Sequence, residues 1–268
     1  MAMKLAEAIE ENKPSIFELS EAAKRRLLEI EGGPLFLGDW VRAVFINYEV
    51  DAAALQREVP FELDLLNGRA YISLVAFTQR NLRPKIGGRI ASWVLAPIAT
   101  HAFLNLRTYV RCKGEPGIYF LAEWVPNRLS VLLGPPVYGL PYAAGRLDYH
   151  HDHEDGRLLG EVSVGGASAR LVYQAFIDSS VRFDHCRANS IDEFLMERYS
   201  AFTQKGTKVR CFRVWHDPWL QTGIEVTIAD HSLLSETCCW FEHARLIGAN
   251  YSPGVRDVWI GPPRRLRL

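Results

Sequence analysis

Between Leu104 and Arg111 the side chains alternate without interruption, Leu104, Leu106, Thr108 and Val110 on one parity and Asn105, Arg107, Tyr109 and Arg111 on the other. A period of two marks an extended strand, because successive side chains point to opposite faces of a sheet. A strand with one apolar face must cover it with a second layer, so this segment sets the architecture for its neighbours.

Those neighbours read the same way. Trp40–Ile46 and Ala70–Phe77 are apolar and β-branched, and Lys113-Gly114-Glu115-Pro116-Gly117 reads as a turn into a strand over Ile118–Val125. A second hairpin runs from Arg146 through Asp152-His153-Glu154-Asp155-Gly156 to Val164, and further strands are expected at Ala169–Ile177, Val209–His216, Gly223–Ile228 and Thr237–Ile247. Helices are few. Ser15 with Glu18 makes a capping box ahead of a helical pattern over Ile16–Ile30, stopped by Gly32-Gly33-Pro34. Asp51 caps a short helix ended by Pro60, and Ser190 with Glu193 opens a helix over Ile191–Thr203. Many strands with a few inserted helices predict an α+β fold with a mostly antiparallel, closed sheet. Residues 1–34 are expected to form a helical extension, and 35–268 one β-barrel domain.

The 268 residues, 48% hydrophobic and 23% charged, can bury a sizeable core. Lys+Arg and Asp+Glu balance at 31 each, which gives no general attraction to nucleic acid or anionic membrane. The short basic run Arg264-Arg265-Leu266-Arg267 reads as a solvated tail. The most apolar stretch, Ile90–Leu106, is interrupted by Pro97, His101 and Asn105 and reads as core, short of the ~18 apolar residues of a membrane span. The Glu-rich Met1–Asn12 lacks the apolar centre of a secretory signal. Five cysteines without a CxxC pair predict reduced thiols and a cytoplasmic location, with adjacent Cys238 and Cys239 on opposite faces of a strand.

Several short motifs then recur in a recognisable order. They are Asn47-Tyr48-x-Val50-Asp51 with Val59-Pro60, Leu106-Arg107-Thr108-Tyr109-Val110, Tyr138-Gly139-Leu140-Pro141-Tyr142, Phe194-Leu195-x-Glu197-Arg198-Tyr199, His216-x-Pro218-Trp219 and Ser252-Pro253-Gly254-Val255. From Trp40 to Pro263 the chain thereby resembles the YqjF-like family of unknown function, which is similar in fold to acetoacetate decarboxylase. The spacing of Asp51, Leu55, Val59 and Pro60 resembles a stretch of the decarboxylase itself. That enzyme uses a Schiff-base lysine in a Tyr-Pro-Lys-Lys motif, and the matching place here is Leu140-Pro141-Tyr142-Ala143. Neither Tyr142 nor Ala143 can form an imine. An acidic pocket residue of the decarboxylase falls at Phe103 on the same resemblance. Lys85, Lys113, Lys205 and Lys208 sit in turn-like or polar stretches, so the resemblance implies the fold without the imine chemistry.

The candidate site residues follow. Tyr142, at the lysine's place, is either an acid/base group or a space-filling phenol. Arg107 shares a strand parity with Asn105 and Tyr109; this face lines a polar cavity or faces solvent, and in the resembled fold the strand borders the interior. On a helix over Ile191–Thr203, Arg198 falls on the stripe of Ile191, Phe194, Leu195 and Phe202, which predicts a buried guanidinium. It would form an internal ion pair or anchor a substrate carboxylate. His216 and Trp219 read as a strand end with an aromatic wedge at the cavity mouth, or as a structural hydrogen bond. The His150-His151-Asp152-His153-Glu154 cluster has metal-ligand chemistry, but it runs into a turn where polar residues are expected, so no metal ligand is assigned and metal-dependent hydrolysis at His150–His153 is a lesser alternative. Phosphate-loop, dinucleotide, serine-hydrolase and zincin motifs are missing from the sequence.

Together these features predict a pocket for a small carbonyl- or carboxylate-bearing molecule, with Tyr142 and Arg107 as catalytic candidates and Arg198, Asn105, Tyr109, His216 and Trp219 as ligand contacts. No cofactor is called for. The partner expected is a small molecule rather than nucleic acid or membrane, and homo-oligomerisation stays open. A non-catalytic ligand-binding or structural module is the rival reading.

Overall fold

A computed structural model of the protein describes residues 14–165 and 168–266. In chain order it runs α1 (Ile16–Leu28), β1 (Phe36–Val50), α2 (Ala52–Gln56), β2 (Glu62–Leu63), β3 (Ala70–Pro84) and α3 (Gly88–Leu95), then β4 (His101–Cys112), β5 (Glu115–Val125), α4 (Arg128–Tyr138) and β6 (Tyr142–Ala144). The chain continues through β7 (Arg146–Asp152), β8 (Arg157–Val164), β9 (Ala169–Phe176), β10 (Asp184–His185), α5 (Ile191–Met196), β11 (Ser200–Lys205) and β12 (Lys208–Trp215). It ends with β13 (Leu220–Asp230), α6 (Ser232–Thr237), β14 (Arg245–Ile260) and β15 (Arg264–Leu266).

The long strands pair in the order β12–β11–β5–β4–β3–β1–β14, and β14 returns to β12 through Val214–Ile260 and Trp215–Trp259. The sheet therefore closes into a ring, while an arm of β13, β9, β8 and β7 extends from β14. Pairing is antiparallel throughout except for β5 with β11 and β5 with β6. The expected α+β fold with a mostly antiparallel closed sheet is what forms, although ring describes the closure better than barrel.

The period of two decides where the cores sit. On β1, β3 and β4 the parity carrying Val44, Ile46, Leu74, Ala76, Leu104 and Leu106 builds one apolar core. The other parity, with Phe45, Val75, Phe77 and Phe103, builds a second, and Asn105 and Arg107 lie on that same side. The predicted turn into β5 is tighter than the sequence reading: Lys113 and Gly114, both at positive φ (52° and 81°), make the whole connection, and Glu115 already pairs with Cys112. Two left-handed residues suit a two-residue hairpin because they match the strand twist.

The first capping box forms as read, while at the second Ser190 Oγ accepts from the Glu193 N–H but the Glu193 carboxylate accepts from the Asn189 N–H in place of the Ser190 N–H. The Ser15 backbone N–H donates to Glu18 Oε2 and the Glu18 N–H to Ser15 Oγ, while Asp51 Oδ1 accepts from the Ala54 N–H at 2.7 Å. Helix α1 seats Ala23 and Leu27 against Tyr199 and Trp215. Burying Leu27 fully contributes about 1.5–3 kcal/mol. Ser20 Oγ donates to the His216 carbonyl at 2.9 Å and accepts from Trp215 Nε1 at 3.0 Å, tying the helix to the end of β12.

Four expectations are corrected. The helix opened by Ser190 stops at Met196, because residues 200–205 are taken up as a strand between β5 and β12. The strand expected over Thr237–Ile247 is instead the end of α6, a short 3-10 turn at Phe241–His243 and the start of β14, so Cys238 is buried and Cys239 exposed by a turn, not by strand alternation. The stretch Ile90–Leu106 is core only in its second half; Ile90, Trp93 and Val94 are exposed on α3. Finally, Arg264–Leu266 pairs with β12 as an edge strand, not a free tail. Arg267 and the Glu-rich residues 1–12 lie outside the described residues. Among the described residues no helix is long and apolar enough to cross a membrane.

Candidate functional site

A cavity of about 330 Å³ opens on the second core, floored by β4 and β5 and walled in part by α4 and the turn after α3. Its surface is mostly aromatic and aliphatic, which makes the few polar groups in it informative. Three of them leave a buried polar atom with no hydrogen-bond partner: Asn105 Oδ1, Arg107 Nε and Glu123 Oε2. Buried polar groups are ordinarily paired, so three unpaired atoms along one wall set this part of the cavity apart.

A strand irregularity brings these groups together. Leu106 pairs with Ala122 but Arg107 with Phe120, leaving Leu121 as an extra residue in β5. This bulge resets the alternation: Ile118 and Phe120 face the cavity, and beyond Leu121 it is Glu123 that does so. Glu123 then stands opposite Asn105 on β4 and opposite Tyr142 on β6. Asn105, Glu123 and Tyr142 thus form a row across three neighbouring strands, with Arg107 one step along on the Asn105 face.

Burial holds the Glu123 carboxyl well above the usual carboxylate range. Burial thus favours the protonated form, in which the carboxyl offers an O–H donor. Burial, together with the nearby Glu123, also raises the Tyr142 phenol, which stays a neutral donor. The Tyr142 ring sits edge-on to Phe103, with centroids 5.9 Å apart. At the other end His216 is buried, its Nδ1 2.8 Å from the Asp217 carbonyl, and burial and the charge of Arg107 lower its pKa to about 4. The neutral ring donates from Nδ1 and keeps Nε2 as an acceptor. His101 places Nε2 2.9 Å from Ser130 Oγ, and burial lowers its pKa too. These shifts all favour the neutral forms of the groups concerned.

The two arginines behave differently. Arg198 Nη1 donates to Asp64 Oδ2 at 2.8 Å and Nε to the Phe194 carbonyl at 2.7 Å, while its guanidinium stacks on Phe194. It touches the cavity, but its charge is spent on an internal carboxylate. The helical stripe that predicted its burial does not exist, since the helix ends two residues before it. Arg107 donates from Nη2 to the Leu195 carbonyl at 2.9 Å and lies over the Phe45 ring, and among the described residues no carboxylate pairs with it.

The structure brings Tyr142, Arg107, Asn105, Arg198, His216 and Trp219 to one cavity. Tyr109 stands apart: its hydroxyl bonds Ser73 Oγ and the Leu195 carbonyl beneath α5, away from the cavity wall. Phe103 lines the cavity, and among the described lining residues none is a lysine. Sequence reading passed over Glu123. The available signal was a lone carboxylate inside the apolar run Phe120–Val125.

The histidine cluster does not converge. His150 pairs with Asp155, His151 is buried between the Arg42 carbonyl and Tyr173 Oη, and His153 bonds Tyr251 Oη. Among the described residues no group of three or more His, Cys, Asp or Glu is arranged to hold a metal ion.

Comparison with known proteins fits this geometry. The uncharacterized protein YqjF of Bacillus subtilis (strain 168) is 32% identical over 195 residues, covering 71% of this chain and 76% of that protein. Among solved structures, the acetoacetate decarboxylase of Legionella pneumophila superposes with a TM-score of 0.59 at 13% identity, covering 88% of each chain. The enduracididine biosynthesis enzyme MppR, complexed with pyruvate, gives 0.60 at 16% identity over 87% of this chain and 90% of its own. At such identities these two establish a shared fold alone. The family model of the uncharacterized conserved proteins DUF2071 matches residues 38–256. With most of the ring inside that match, the chain belongs to the DUF2071 family and carries an acetoacetate decarboxylase-like fold.

Proposed function

We propose that the cavity binds a small organic acid bearing a carboxylate and a carbonyl, and acts on it without imine chemistry. Arg107 holds the negative charge, and Tyr142 with protonated Glu123 donates hydrogen bonds, or a proton, to the carbonyl oxygen. The observation that carries this reading is Arg107 itself, a buried guanidinium with an unpaired Nε and no carboxylate partner among the described residues. Leaving a buried cation uncompensated is costly, and an anionic ligand supplies what the fold omits. Glu123 supports the same sign of ligand: protonated, it adds a donor instead of a second negative charge. The pyruvate complex of MppR supports the class of molecule.

The reading is tested by calorimetric titration of pyruvate into the wild type and Arg107→Gln, with borohydride added in a parallel sample. Expected are measurable binding by the wild type, at least tenfold weaker binding by the variant, and no mass increase after reduction. Equal binding by the variant overturns the role of Arg107, and a reduced adduct on a lysine overturns the imine-free route.

A further inference from the structure

We infer that the natural ligand is an amphiphile, an organic acid whose apolar body extends from Arg107 along the α4 wall toward the cavity mouth, and not a three-carbon keto acid. This rests on the preceding reading of Arg107 as the anion holder. The first reason is size. At about 330 Å³ the cavity reaches the range of drug-sized ligands, roughly 300–1,000 Å³. A three-carbon acid would satisfy Arg107 and Glu123 and leave most of the aromatic wall against water.

The second reason is polarity. The three unpaired polar atoms all come from the floor strands β4 and β5. The wall built by the end of α3, the turn after it and α4 presents Leu95, Ile98, Leu133 and Val137. The unpaired polar atoms are gathered on the floor, among Phe103, Ile118 and Phe120, while the α4 side presents the aliphatic Leu133 and Val137, with Ser130 Oγ already bonded to His101. A molecule with a polar head and an apolar body matches this distribution.

The third reason is continuity. Leu133 and Val137 line the cavity and are each 47% exposed, so the apolar wall runs outward to the surface. A ligand body of several methylenes or an aryl ring would cover them from inside.

The test is a chain-length series of straight carboxylates, butanoate, hexanoate and octanoate, titrated calorimetrically into the wild type, Arg107→Gln and Leu133→Glu. Leu133 is half exposed on a helix surface, and thermal melting of each variant checks that it folds. Burial of each methylene predicts roughly fourfold tighter binding per carbon until the chamber fills, and at least tenfold from butanoate to octanoate. Leu133→Glu should shrink that octanoate-to-butanoate ratio about tenfold, and Arg107→Gln should weaken every member. If butanoate binds through Arg107 but octanoate binds no tighter, the amphiphile is refuted and the proposed anion site stands. If octanoate binds Arg107→Gln as well as wild type, the anion site fails and the head-group half of this inference with it. A Leu133→Glu ratio equal to wild type refutes the path along α4.

Discussion

Asp64 and Arg198 form a pair in which both side chains are more than nine-tenths buried, 2.8 Å apart across 134 residues of sequence. Asp64 also accepts from Arg111 Nε at 2.8 Å, so one carboxylate ties β4 to the segment between α5 and β11. Removing one member strands the other charge. Asp64→Asn should cost about 3–5 kcal/mol in urea denaturation, whereas Arg198→Met combined with Asp64→Leu should recover most of that loss. A cost below about 1 kcal/mol for Asp64→Asn would mean that the pair is not the tie described.

Arg107 offers the contrasting case. It is buried too but lacks a carboxylate, so its charge is offset only by the Leu195 carbonyl and the Phe45 ring. Arg107→Met should leave stability within about 1 kcal/mol of wild type or raise it, since the Tyr109 hydroxyl still serves the Leu195 carbonyl. Measured beside Arg198→Met, which should destabilise, this separates a functional arginine from a structural one.

Glu197 gives the fold a pH dependence of definite sign. Burial raises its carboxyl to about 7, although Tyr199 Oη and the Trp219 N–H both donate to it. The folded state holds this proton more tightly than the unfolded chain, so the contribution is full below the unfolded value near 4.5 and is lost as pH rises through 7. His216 and His151, each lowered to about 4 chiefly by burial, act oppositely: their contribution is present above 6.5 and is lost as pH falls through 4. The opposing slopes overlap and partly cancel in the wild type. Glu197→Gln removes one of them, so its stability relative to wild type should rise by up to about 3 kcal/mol between pH 4.5 and pH 8. Chemical denaturation at both ends of the window checks this; a difference that is flat or falls with pH contradicts it.

Gly134 sets the position of Tyr142. A Cβ on Gly134 would lie 2.4 Å from the tyrosine ring, and that ring is already held edge-on by Phe103. Gly134→Ala gains helix propensity, yet the overlap must push the phenol off its row with Glu123. The expected outcome is a net loss of about 1–3 kcal/mol and weaker pyruvate binding, read by thermal melting and calorimetry. Binding and stability both at wild-type level would show that Tyr142 has room to move.

The motifs that carried the family resemblance have identifiable physical jobs. Asp51 caps α2, the β4 segment supplies Arg107, and Gly254 lets the backbone of β14 approach the Trp40 carbonyl, where a Cβ would come within 2.2 Å at a φ of +121°. Such features are local or register-bound, so they survive as readable spacing. Glu123 left no comparable trace. Strict alternation from Ile118 and Phe120 would send Ala122 into the cavity, and the bulge at Leu121 substitutes the carboxylate. A bulge depends on what the partner strand does, and β4 carries no mark of it.

Chain-local physics settled the strands, the caps and the two-sided character of β4, because alternation and capping act within a few residues. Tertiary structure decided whatever required two distant segments to compete for the same backbone. The segment after Met196 has helix-compatible spacing, but strand partners on both sides claim residues 200–205 and end the helix. That choice places Arg198 beside Asp64 and leaves Arg107 unpaired in the cavity wall, since ion pairing depends on distances in space that no spacing along the chain encodes.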